Sequence, residues 1–169
     1  MPDAKRMPSL FVGHGSPMNA IEDNEFSRAW RRTAKRFARP DAVLCMSAHW
    51  ETRGVRVLSE PRPRTIHDFY GFPDELFSVR YPAPGSAALS ARVIELFDNF
   101  PAIPDQQWGI DHGAWSVLRN MYPEADVPVV QLSLDSAQGD EFHYRIGEAL
   151  RPLRDEGILI LGSGNIVHN

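Results

Sequence analysis

The chain has 169 residues, 43% of them apolar and 24% charged, enough for one domain with its own core and too few to demand two. This balance excludes a disordered chain, and a net charge of −4 without a compact Lys/Arg patch argues against a nucleic-acid partner. No apolar stretch is long enough to span a membrane or serve as a signal core, and the single cysteine, Cys45, lies in an apolar run, so a cytoplasmic location is expected.

The first predicted element is the run Leu10-Phe11-Val12, read as a buried strand that stops abruptly at Gly13-His14-Gly15-Ser16-Pro17. Flanking glycines leave a histidine at such a turn able to point out of the sheet. From Glu22 to Ala38 the apolar residues Phe26, Trp30, Ala34 and Phe37 recur at helical spacing, with Asp23 or Asn24 as the cap and Arg39-Pro40 as the stop. The basic run from Arg31 to Arg39 is the solvated face of that helix. Ala42 to Ala48 is apolar enough to be a strand buried on both faces, and it leads into His49-Trp50.

A short strand at Val55 and Val57 precedes a long irregular segment running to about Gly85, rich in proline and aromatics. Loops of this kind in compact domains are usually functional. Ser86 caps a helix from Ala87 to Phe97. The segment Trp108-Gly109-Ile110-Asp111-His112-Gly113-Ala114 leads into a short helix from Trp115 to Met121. Val127 to Leu134 reads as a strand, about Gln138 to Arg154 as a helix and Ile158 to Leu161 as a strand, before the closing Gly162-Ser163-Gly164-Asn165-Ile166-Val167-His168-Asn169. Alternating strands and helices predict a single-domain α/β fold with a largely parallel sheet flanked by helices.

Three of the six histidines, His14, His49 and His168, each follow an apolar strand directly or after a short turn. The carboxyl ends of parallel strands share one edge of the sheet, so the three imidazoles are expected to converge there as a metal site. Any one of them alone is more simply a hydrogen-bonded loop residue. His112, beside Asp111, suits a general acid or base, and the plainer alternative is that Asp111 caps a helix on which His112 merely packs. His67 is a weaker candidate, and His143 is expected to be solvated. Gly162-Ser163-Gly164-Asn165 could hold an anion through backbone N–H groups. Ser16 or Ser163 could act as a nucleophile, but no G-x-S-x-G elbow is present.

Six motifs in order along the whole chain, Gly13 to Asn19, Ser47 to Trp50, Thr65 to Phe69, Tyr81 to Gly85, Trp108 to Gly113 and Gly162 to Asn169, resemble the DOPA-dioxygenase-type branch of the class III extradiol ring-cleavage dioxygenases. The resemblance implies a non-haem metal enzyme that opens a small, DOPA-like catechol with O2. It implies His14, His49 and His168 as metal ligands, although in more distant members the histidine matching His168 is an acid/base residue. His112 matches a second-sphere histidine lining the substrate pocket, and is the expected catalytic residue. The implied cofactor is one divalent metal ion, Fe(II) for catalysis with Zn(II) as an ion that members of the branch can carry, because Zn(II) has no accessible redox state. Family members continue past the asparagine matching Asn169, so the domain spanning 1–169 is expected to lack its C-terminal part. The alternatives are a metal-binding fragment without turnover and a metal-dependent hydrolase. The oligomeric state is left open.

Overall fold

A computed structural model describes residues 6–165. In chain order its strands are β1 (Ser9–Gly13), β2 (Ala42–Ser47), β3 (Glu51–Thr52), β4 (Val55–Leu58), β5 (Ala102–Asp105), β6 (Val129–Gln131), β7 (Leu134–Asp135) and β8 (Ile158–Gly164). The α-helices are α1 (Glu25–Ala34), α2 (Asp74–Phe77), α3 (Ala87–Leu96), α4 (His112–Met121) and α5 (Asp140–Ala149), with 3-10 turns at Pro17–Ala20 and Arg151–Arg154.

The main sheet has the order β1-β8-β2-β6, and every neighbouring pair is parallel. The last strand among the described residues thus lies between the first two. Apolar side chains at successive positions of β2 serve two cores. Val43 and Cys45 pack with Trp30 of α1 and Trp115 and Leu118 of α4, whereas Ala42 and Leu44 pack with Val93 of α3 and Ile146 of α5. Helices on both faces explain the unbroken apolar run. Among the described residues, no helix is long and apolar enough to cross a membrane.

Several expectations are corrected. β1 is an edge strand rather than a fully buried one: Leu10 and Val12 lean on the core, while Phe11 is 68% exposed. Helix α1 starts later than the periodicity suggests because Asn24 accepts the N–H groups of Phe26 and Ser27, and Ser27 Oγ accepts the N–H of Asn24. That box fixes the first turn and leaves Phe26 exposed, so Trp30 carries the contact. The run from Val127 to Leu134 divides into β6 and β7, which belong to different sheets. Pro152 has no N–H to continue α5, and the chain there turns into a 3-10 segment. Strand β5, to which the sequence reading gave no element, contains Pro104; it pairs with β4 alone, in a two-stranded sheet that leaves one side of the strand without a ladder to disrupt.

The correction with the largest consequence concerns Gly162-Ser163-Gly164. Instead of forming an anion-binding loop, these residues extend β8, paired with Phe11, Val12 and Gly13 on one side and with Met46 and Ser47 on the other. Their backbone is committed to the sheet, and Ser163 is carried to its carboxyl edge.

Candidate metal centre

His14 directly follows β1, and its N–H continues the ladder to Gly164 O at 3.1 Å. Gly15 then takes a φ of 59°, which a side chain disfavours. The turn is held by Asn19, whose amide donates to His14 O at 3.0 Å. His49 lies two residues beyond β2, with its N–H bonded to Ser47 Oγ at 3.2 Å. His112 is the first residue of α4, because Asp111 caps the helix by accepting the N–H of Ala114 at 3.2 Å. Asp111 is thus a cap, as the plainer reading has it, and His112 reaches the sheet edge. The helix starts there rather than at Trp115.

The three imidazoles converge. One ring nitrogen from each of His14, His49 and His112 lies within 4.8 Å of those of the other two, and the ring centroids are 3.9 to 5.5 Å apart. Gly113 makes the approach feasible, since a Cβ at this position would run into Ser47 Oγ and come within 3.0 Å of the His49 ring. His168 lies outside the described residues.

Hydrogen-bond inventory fixes which nitrogens face the cluster. Ser163 has one hydroxyl proton and gives it to Gly113 O, so it accepts from His14 Nδ1–H at 3.0 Å. The Asp68 carboxylate only accepts, so His112 Nδ1–H donates to its Oδ1 at 2.9 Å, alongside the His112 backbone N–H at 3.0 Å. The other carboxylate oxygen is 3.5 Å from His49 Nδ1, and its negative charge favours a proton there. Burial opposes ionisation of Asp68, yet the hydrogen bonds and charge of His112 outweigh it and hold the carboxyl below its ordinary value. In the neutral form of each ring, a proton held on Nδ1 leaves Nε2 with its lone pair.

His14 Nε2 and His49 Nε2 are 3.1 Å apart. With both rings neutral and protonated on Nδ1, a cation between the two nitrogens relieves the repulsion of their lone pairs. Two nitrogens that each sit about 2.0–2.1 Å from a shared ion fall at about this spacing. The residues present fit a divalent metal.

The supporting shell is buried. Asp111 also accepts from Gln131 Nε2 at 2.8 Å and Trp108 Nε1 at 3.3 Å. Its burial raises the carboxyl above its ordinary value against the lowering effect of Ser47 and Gln131. Beside the cluster, Phe69 meets the His112 ring edge-on with centroids 5.4 Å apart. Its neighbours are Phe72, Phe77 and Trp115. Trp115 Nε1 donates to Ile66 O at 2.7 Å and His67 Nε2 to Val79 O at 3.0 Å, which tie down the aromatic loop. His67 thus serves the loop. Tyr70, next to Phe69 in the same loop, is 92% exposed. His143, expected in solvent, is half-buried and bonds the Asp135 N–H at 3.2 Å and Gly139 O at 3.0 Å.

The sequence reading missed Asp68 and gave Ser163 only a nucleophile's role. A carboxylate adjoining a histidine in an aromatic loop was the available signal for Asp68.

Over residues 7–169 the sequence matches the family described as the catalytic LigB subunit of aromatic ring-opening dioxygenase. The chain belongs to this family. Among LigB-family relatives, a protein of Escherichia coli (strain K12) named 4,5-DOPA dioxygenase extradiol is 52% identical over 165 residues, 97% of this chain and 61% of the relative. One of the same name from Beta vulgaris is 45% identical over 168 residues, 95% of this chain and 62% of the relative. The crystal structure of an uncharacterized protein from Escherichia coli K12 superposes with a TM-score of 0.81 at 47% identity, covering 97% of this chain and 62% of that one. The chain thus spans 61–62% of the length of these LigB-family proteins. The family match includes His168.

Proposed function

We propose that the chain carries the metal-binding part of an extradiol dioxygenase acting on a small, DOPA-like catechol and O2, with His14 and His49 as metal ligands, His168 as a further ligand and His112 as the catalytic residue. The single observation that carries the metal reading is the convergence of the His14, His49 and His112 ring nitrogens within 4.8 Å of one another beyond the ends of β1 and β2. The substrate class is supported by the family and by the names of the relatives. Chelation of both catechol oxygens and the redox chemistry of O2 are what a divalent metal supplies when bound there, and because Zn(II) has no accessible redox state Fe(II) is the proposed working ion.

The protein's own groups do the rest. His112, with Nδ1–H given to Asp68, presents a basic Nε2 able to take a proton from a catechol hydroxyl and later return it. Phe69 and Trp115 supply an apolar wall that matches a flat ring and keeps water from competing. Asn19 and Ser163 keep the His14 ring in place, so little reorganisation accompanies binding. A cytoplasmic location belongs to the same reading, supported by the free, buried Cys45.

The test is anaerobic loading with Fe(II), followed by oxygen uptake with a panel of catechols. The expected result is stoichiometric consumption of O2 and catechol by the wild type and none by the His14→Ala/His49→Ala double variant. Equal uptake by both would overturn the assignment.

A further inference from the structure

The side chain of Asp68 meets two of the three clustered imidazoles from outside the cluster. One oxygen takes both the ring and backbone N–H of His112, at 2.9 and 3.0 Å, and the other lies 3.5 Å from His49 Nδ1. Its loop reaches this position because Ile66 and Val79 are bonded to Trp115 and His67 on either side. The carboxylate is 19% exposed, so its charge acts in a partly desolvated place.

We infer that Asp68 is a positioning residue that sets the tautomer of a metal ligand, His49, and of the proton-moving imidazole, His112, at the same time. A carboxylate can only accept, so it selects the Nδ1–H form of both rings and directs both Nε2 lone pairs inward. An amide of the same shape cannot do so. In Asp68→Asn, an Oδ1 that still accepts from His112 turns the Nδ2 donor toward His49 Nδ1, favouring the tautomer that places a proton on His49 Nε2. The flipped amide would instead set donor against donor at His112. A role limited to filling space or folding the loop tolerates asparagine, whereas tautomer selection does not.

The inference rests on the metal reading above, and its test separates the two. Zn(II) alone is titrated into the wild-type chain and into Asp68→Asn, with binding measured by calorimetry. Long-range 1H–15N correlation spectra of histidine-labelled wild type report which ring nitrogens carry protons. The expected result is Nδ1 protonation of His49 and His112 in the Zn(II)-loaded wild type and Zn(II) affinity about 10–100-fold weaker in Asp68→Asn. Either ring carrying its proton on Nε2, or Asp68→Asn affinity within about twofold of wild type, overturns the role of Asp68. The wild-type spectrum decides the matter even where the variant folds poorly. A wild type that takes up no Zn(II) contradicts the metal reading itself.

Discussion

Ser163 has a single hydroxyl proton, and spending it on Gly113 O leaves only an accepting role toward His14. Ser163→Ala removes the acceptor of one buried group and the donor of another, so it should lower unfolding free energy by about 1–3 kcal/mol. It should also weaken Zn(II) binding, because the acceptor that favours the Nδ1–H tautomer of His14 is lost. Urea unfolding and metal titration check the two effects, and stability and affinity both equal to wild type would refute this account of Ser163. Cys45, fully buried in β2, illustrates the opposite case, a reactive group kept silent. Burial pushes its thiol well above the ordinary value. It should resist a thiol reagent at pH 8 in the folded protein and react at the rate of a free thiol once unfolded. Rapid labelling of the native chain would contradict that packing.

At the scale of elements, the first turn of α4 joins the fold to the site. Asp111 caps it, and Gln131 of β6 bonds that carboxylate and the Asp111 N–H, so His112 is held from the far edge of the sheet. Asp111→Ala should cost on the order of 2–3 kcal/mol, combining a lost cap with buried donors left unpaired at Gln131 and Trp108. A loss below about 0.5 kcal/mol in denaturant melts would show that the network carries no weight. Two of the strand-end histidines were legible in the sequence because β1 and β2 are apolar runs that stop at a histidine-bearing turn. Gly162-Ser163-Gly164 was misread because glycine ordinarily interrupts a strand. Here the small residues are what let β8 lie against Phe11, whose ring is 3.0 Å from where a Gly162 Cβ would be.

For the whole molecule, the order β1-β8-β2-β6 is what brings distant sequence together. Alternating strands and helices were enough to forecast a parallel sheet, but not that β8 would insert between the first two. That insertion places Ser163 beside His14 at a separation of 149 positions. Asp68 was hidden for a related reason: its partners His49 and His112 come from other elements, and no local periodicity marks a loop residue. His112 itself was legible as an acid/base candidate from Asp111-His112, though its place within one ring of His14 and His49 depended on where α4 begins. The most direct measurement of the central claim is equilibrium binding of Fe(II) under anaerobic conditions to the wild-type chain and to His14→Ala/His49→Ala. The account predicts one ion per wild-type chain and none held by the double variant. No uptake by the wild type, or equal uptake by both, would contradict it.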